Sequence, residues 1–364
     1  MTSLKFLSVV GARPNFVKLP PIHNALSQQH VDHVIVHTGQ HYDYEMSKVF
    51  FENLRLPDPL YNLSVGSGSP CYQLGEMIKR FEGVLTKENP NAVLVYGDTN
   101  STLAGALAAV KLNFPVAHIE AGLRSYDRSM PEEANRVMTD CVSSTLFCPT
   151  RTSLKNLKKE HAWGKAYLTG DVMVETLKEF VKLSENKSNI IRKLNIEPKN
   201  YLLVTIHRVE NVENQVRLSK IVKILTKIKK KVIFPVHPRT VKSLREFNLI
   251  DELSSNRNIV ITEPLSYFDF TQLEMNSQKI ITDSGGVQKE AYLLGVPCIT
   301  LRENTEWTET IDGGWNILVG VNVKNALKAI DDFKPSSNRK LLFGTGDASF
   351  KIAKILVRHY AKDS

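Results

Sequence analysis

Short apolar runs that end in glycine, proline or a charged residue, each followed by helix-patterned sequence, limit what this chain can fold into. Residues 5–10 run into Gly11-Ala12-Arg13-Pro14, residues 34–38 into Gly39-Gln40-His41, residues 92–96 into Gly97-Asp98, and residues 116–119 into Glu120-Ala121-Gly122. The plan then restarts. Residues 202–206 end in His207-Arg208, 232–236 in His237-Pro238-Arg239, 259–261 in Glu263-Pro264, and 280–282 in Asp283-Ser284-Gly285-Gly286. Strands that alternate with helices at this pitch predict parallel sheets covered on both faces. A chain of 364 residues is too long for one such core and comfortable for two. We expect an α/β fold of two doubly wound Rossmann-like domains, 1–170 and 171–346, facing a cleft, with a helix in 347–364 packing back on the first.

Composition narrows the function classes. The chain is 42% hydrophobic and 23% charged, and no apolar run is long enough to cross a bilayer, so no membrane partner is expected. The first residues read as strand without a signal-peptide pattern, which places the protein in the cytoplasm as an expectation. A net charge of +9 raises nucleic acid as a partner. The lysines, however, gather on stretches such as 220–231, read here as a solvated helix face without interleaved aromatic residues, so no nucleic acid is expected. Cys71, Cys141, Cys148 and Cys298 lack the paired spacing of zinc sites. They read as core thiols, and no metal is expected.

One stretch states a binding chemistry. Residues 280–282 have strand character, Asp283-Ser284-Gly285-Gly286 turns the chain, and 287–294 carries helical patterning. Ser284 suits the N-cap, Gly295 the left-handed position after the last turn, and Pro297 prevents continuation. Unpaired amides and the positive end of the helix dipole meet at such a turn, and the missing side chains let an oxygen come close. A phosphate is the natural guest. Glu290, six residues after Ser284, is placed to accept both hydroxyls of a ribose, so a nucleoside diphosphate follows. The alternative is a turn that only starts a helix.

Other strand ends carry chemistry of two kinds. Arg13 and Lys18 follow the first strand, where Gly11 and Pro14 form a rigid turn that can aim a planar donor at a phosphate; surface solvation is their ordinary fate. Asp98 either caps the following helix or handles protons, whereas Glu120 is a poor cap and is left uncovered by Ala121-Gly122. Pro131-Glu132-Glu133 opens a helix, and dipole compensation explains one of the two glutamates. A lone His207 reads as a core histidine, but paired with Arg208 at a strand end it reads as part of a site. Without a Ser or Cys triad, the expected chemistry is acid/base work on whatever hangs from the diphosphate.

Gly11-Ala12-Arg13-Pro14, Gly97-Asp98-Thr99-Asn100-Ser101, His118-Ile119-Glu120-Ala121-Gly122-Leu123-Arg124, Pro131-Glu132-Glu133-Ala134-Asn135-Arg136, Thr205-Ile206-His207-Arg208 and Thr282-Asp283-Ser284-Gly285-Gly286 resemble, as an ordered set, the motifs of the non-hydrolysing UDP-N-acetylglucosamine 2-epimerase family. The resemblance implies a glycosyltransferase-B-like fold and a UDP-sugar substrate. It implies reversible C2 inversion to UDP-N-acetylmannosamine by elimination and re-addition of UDP, with no cofactor and no metal, in a homodimer. By motif match, Asp98, Glu120, Glu132 and His207 form the acid/base and charge-stabilising set. Arg13, Lys18, Ser284, Gly285, Gly286 and Glu290, joined by Arg136, His237 and Arg302, form the UDP contacts. Gln40 and His41 match a pair at which relatives bind a second nucleotide sugar as activator. Trp307, in Thr305-Glu306-Trp307-Thr308-Glu309, stands where typical members have Arg and resembles the branch acting on UDP-2,3-diacetamido-2,3-dideoxyglucuronate. A retaining UDP-sugar glycosyltransferase is the more distant alternative, since that fold also holds UDP-sugars.

Overall fold

The computed structural model describes residues 4–40, 56–335 and 338–361. The chain divides into two compact units, Met1–Thr176 with Leu341–Ser364, and Leu177–Lys340. Residues 41–55, which carry His41 and the helix expected after the second strand, lie outside the described residues.

The first unit holds seven strands: β1 (Lys5–Val10), β2 (Asp32–His37), β3 (Tyr61–Asn62), β4 (Ala92–Tyr96), β5 (Val116–Ile119), β6 (Thr145–Cys148) and β7 (Lys165–Leu168). Their order is β3-β2-β1-β4-β5-β6-β7, and every pairing is parallel. Strand order reverses between β1 and β4, the place where open sheets of this type bind ligands. The sequence explains the flanking helices. Pro70–Glu88 starts under a Ser69 cap with Pro70 in its first turn, stops at left-handed Asn89, and buries Met77, Phe81, Val84 and Leu85 on one stripe. The alanine-rich helix Asn100–Lys111 lies close on the sheet, where a Cβ on Gly105 would sit 3.0 Å from Val9. The helix Ala348–Tyr360 belongs to this unit: Tyr360 packs edge-on against Phe6 at 5.8 Å, and its hydroxyl is 3.0 Å from Thr145 Oγ1.

The second unit holds β8 (Tyr201–Thr205), β9 (Lys231–Pro235), β10 (Ile259–Thr262), β11 (Lys279–Thr282), β12 (Cys298–Thr300) and β13 (Asn316–Leu318), in the order β10-β9-β8-β11-β12-β13 and all parallel. The reversal falls between β8 and β11. The core is built from strand residues such as Leu202, Val204, Ile281 and Ile299 against Leu218, Ile221, Val222 and Leu225 of the helix Gln215–Thr226.

Two expectations are corrected. The lysine-rich stretch 220–231 is not one helix: Gln215–Thr226 ends first, and Lys231 opens β9, because Val232, Ile233 and Phe234 are needed inside the sheet. Cys71 and Cys141 are exposed on helix surfaces, not core thiols; Cys148 and Cys298 are buried, and burial pushes their thiols up to about 12. Among the described residues, no helix is long and apolar enough to cross a membrane.

Candidate active site

In the first unit, the strand ends beside the reversal are tied together by polar side chains. Asn15, wholly buried, donates to Tyr96 O at 2.8 Å and accepts from Thr99 Oγ1 at 3.1 Å, joining the turn after β1 to the turn after β4. Thr99, not Asp98, caps the helix Asn100–Lys111, its hydroxyl accepting from the Thr102 amide at 3.3 Å. That leaves the Asp98 carboxylate for Arg136, whose Nε and Nη2 donate to Asp98 Oδ2 at 3.0 and 2.7 Å. Arg136 also donates through Nη1 to Glu133 at 2.7 Å and is only 2% exposed, so it orients carboxylates from below.

Glu133 is the structural one of the two first-turn glutamates. It accepts from the amides of Ser125 and Tyr126 at 2.9 and 2.8 Å and pins the loop between β5 and the helix Pro131–Val142. Burial works against its charge, but the Ser125 amide, Arg136 and the Tyr126 amide outweigh it and hold the carboxyl below its ordinary value. Glu132 beside it is half-buried.

Glu120 closes β5 and forms an ion pair with Lys18, both side chains more than nine-tenths buried. The backbone of Glu120 is left-handed, φ 74°, which costs a non-glycine residue about 1–2 kcal/mol and is kept only where neighbours hold it. Gly97 is required next to this pair: its φ is 63°, and a Cβ there would sit 2.8 Å from Lys18 Nζ and 3.2 Å from Glu120 Oε2. Gln40 reaches the same edge, its Oε1 accepting from the Ser101 amide at 3.1 Å and the Ser101 hydroxyl at 2.6 Å. Arg13 is exposed in the short turn of helix Arg13–Phe16. Asp98, Glu120, Lys18, Arg136 and Gln40 are thus gathered at the carboxyl edge of one sheet.

In the second unit, Asp283 is wholly buried and accepts from the His207 amide (3.1 Å), the Arg208 amide (3.1 Å) and Asn211 Nδ2 (3.0 Å), so one carboxylate fastens the end of β8 to the end of β11. His207 is half-buried, and its ring lies 6.1 Å from that of His237. His237 is exposed at the start of the helix Pro238–Glu246, its Nδ1 accepting from the Arg239 amide at 3.1 Å.

Ser284 occupies the N-cap of Gly285–Leu294 without a side-chain cap bond, and its amide donates to Thr282 Oγ1 at 2.9 Å. The helix ends at left-handed Gly295. Over its first turn lies Glu306: a Cβ on Gly285 would collide with Glu306 Oε1, and Trp307 Nε1 would be 3.5 Å away. Arg302 Nη1 donates to Glu306 at 3.0 Å, and Arg208 Nη2 lies 3.7 Å from it. Arg302, expected at the nucleotide, is only 1% exposed and also donates to Asn304 at 3.2 Å, so in this structure its guanidinium serves Glu306. Glu290 is buried and takes a hydrogen bond from the Tyr267 hydroxyl. Trp307 is buried, with Lys289 Nζ 4.2 Å from its ring centre.

Sequence reasoning missed Asn15, Asp283, Tyr267 and Glu306. Asp283 stood inside a quoted motif, but nothing in the letters says that its side chain points back to β8. Glu306 follows Arg302 by four residues, a spacing that signals an ion pair only inside a helix. Tyr267 carried no signal.

A sequence model described as UDP-N-acetylglucosamine 2-epimerase matches residues 24–357. A Methanococcus maripaludis protein named UDP-N-acetylglucosamine 2-epimerase homolog is 50% identical over 355 residues, covering 97% of this chain and 99% of that protein. The Pseudomonas aeruginosa UDP-2,3-diacetamido-2,3-dideoxy-D-glucuronate 2-epimerase is 42% identical over 366 residues, covering 98% and 100%. The crystal structure of Methanocaldococcus jannaschii UDP-GlcNAc 2-epimerase in complex with UDP-GlcNAc and UDP matches with a TM-score of 0.90 at 47% identity, covering 98% of this chain and all of that one.

Proposed function

The chain belongs to the UDP-N-acetylglucosamine 2-epimerase family, and from that premise we propose that it reversibly inverts C2 of UDP-N-acetylglucosamine to give UDP-N-acetylmannosamine. The observation that carries the reading is the pair of carboxylates at neighbouring strand ends, each with a cation alongside: Asp98 with Arg136 and Glu120 with Lys18.

The reaction needs no net redox change. A base takes the C2 proton, that electron pair forms the C1=C2 bond, and the C1–O bond breaks with its pair leaving on the β-phosphate oxygen of UDP. Addition then reverses these steps, with the proton returned to the opposite face of C2. C1–O cleavage runs ahead, because the C2 proton of an acetamido sugar is not acidic. Carboxylates stabilise the positive character this leaves on the ring, while cations and helix-start amides stabilise departing UDP. We assign the sugar chemistry to Asp98, Glu120, Glu132 and His207, and the diphosphate to Arg13, Ser284, Gly285 and Gly286 with His237. Lys18 and Arg136 pair with Glu120 and Asp98 and hold them in place, and Glu290 meets the ribose in exchange with Tyr267. We further propose that it works in the cytoplasm, as a homodimer.

Proton NMR of the nucleotide sugar recovered from UDP-N-acetylglucosamine in heavy water tests reaction and substrate together. Deuterium at C2 in both epimers is expected; a C2 proton that survives prolonged incubation sinks the proposal. A second reading, with UDP-2,3-diacetamido-2,3-dideoxyglucuronate as substrate, is favoured by Trp307 beside the Gly285 turn. The two are separated by kcat/KM on both nucleotides, and Trp307→Arg should move the ratio towards UDP-N-acetylglucosamine by roughly tenfold, the scale of one pocket contact.

A further inference from the structure

Beneath the two turns that carry Asp98 and Glu120 lies a chain of four titratable side chains, three of them buried and the fourth, Glu160, at the surface. His118 is on β5, two residues before Glu120, and is wholly buried. Its Nε2 is 2.8 Å from the carbonyl of Gly97, the residue before Asp98, and its Nδ1 is 2.7 Å from Asp140 Oδ1. The other oxygen of Asp140 accepts from the Gly122 amide at 3.1 Å, two residues after Glu120, and from Arg124 Nη1 at 2.7 Å. Arg124 in turn donates to Leu123 O at 2.7 Å and grips Glu160 through Nε at 2.9 Å and Nη2 at 2.6 Å. Burial works against charge on Asp140, but His118 and Arg124 outweigh it and hold the carboxyl below its ordinary value.

These bonds end on the backbone of two left-handed turns. Gly97, Glu120 and Gly122 have φ of 63°, 74° and 80°; the glycines adopt that region freely, whereas Glu120 stays there only while its flanking groups are fixed. One ring fixes the peptide before Asp98, and the carboxylate behind that ring fixes the Ala121–Gly122 peptide, one beyond the peptide that follows Glu120.

We propose that Asp140 and His118 are positioning residues that set the spacing of Asp98 and Glu120 by clamping the Gly97 carbonyl and the Gly122 amide to one node, touching no substrate themselves. The proposal deepens the epimerase reading and rests on it. Its consequence is specific. Proton removal at C2 and proton return both need groups within hydrogen-bond reach of one carbon, so a shift of either turn slows chemistry and lets the eliminated sugar escape before UDP re-adds. Binding of UDP itself is left intact.

The test uses full-length Asp140→Asn, which keeps shape and removes charge. Expected are a kcat lower by about 10- to 100-fold, a UDP dissociation constant and KM within about threefold of wild type, more free UDP and unsaturated sugar released per C2 exchange event, and at least tenfold faster amide hydrogen exchange in peptides covering 95–101 and 119–125. Unchanged kcat overturns the proposal. So does a fall in kcat matched by the loss of UDP-binding sites in a calorimetric titration with unchanged release of the intermediate, which is damage to folding alone. Should Asp140→Asn be insoluble, His118→Gln is read by the same measurements, with Glu160→Gln as the milder change from the surface end of the chain. Wild-type protein that exchanges no C2 proton refutes the epimerase reading separately. The amide-exchange arm then still decides the clamp, and unchanged exchange in both peptides overturns it.

Discussion

At the scale of single residues, the feature with the sharpest consequence is Glu306 on the helix start at Gly285. A carboxylate there takes the place in which the sequence expects a phosphate, and it holds Arg302 and faces Arg208 while doing so. A diphosphate arriving at these amides meets that charge, so Glu306 opposes UDP and sets how tightly it is held. Glu306→Gln should tighten UDP binding by roughly threefold to tenfold, the scale of one partly screened charge contact, and calorimetry reads it. Weaker binding in the variant would show Glu306 to be a ligand of the nucleotide instead. The letters reveal none of this: the Ser-Gly-Gly turn is legible as an anion site, but a side chain 20 residues later that folds over it is not.

At the scale of elements, the helix Leu19–Ser27 is fastened to the first sheet through histidine rings. His23 Nδ1 lies 2.9 Å from His33 Nδ1, and His33 Nε2 lies 2.7 Å from Ser8 Oγ, which is 2.6 Å from the Tyr96 hydroxyl. Two facing Nδ1 atoms share at most one proton. Burial first, and then the neighbouring His23, push His33 down from 6.5 to about 3, and burial lowers His23 as well. As pH falls below 6.5, the unfolded chain binds a proton that folded His33 refuses, so stability present at neutral pH is lost progressively towards pH 3. A full proton of linkage is about 1.4 kcal/mol per pH unit; with the ring only partly shielded, roughly half of that is expected. Tm measured from pH 7 to 5 should fall, and fall less steeply in His33→Gln. Parallel slopes in the two proteins would remove this ring from the pH response. One helix stop was legible here because caps are local: Gly295 after Leu294. The starts at Ser69 and Thr99 were not, the sequence having offered Asp98 as the second cap. Where the lysine-rich segment breaks into helix Gln215–Thr226 and strand Lys231–Pro235 was not, since sheet burial of Val232 to Phe234 decides it.

For the whole molecule, the units Met1–Thr176 with Leu341–Ser364 and Leu177–Lys340 divide the chemistry: carboxylates with cations in one, an amide-rich helix start in the other. Hydrogen-exchange mass spectrometry of the full chain with and without UDP should therefore show protection centred on residues 280–295 and 205–212. Protection absent from both would remove the Gly285 turn as the phosphate site. The sequence by itself determined two parallel α/β sheets and the strand ends that carry chemistry, because apolar periodicity, glycine turns and caps act within a few residues of one another. Only the tertiary structure decided which carboxylates are struts. Asp140 and Asp283 are held by donors from other strand ends, Glu133 by the loop before its helix and by Arg136, and Glu306 is aimed by Arg302. A carboxylate takes its role from the donors around it, and those donors are assembled only when the sheets close.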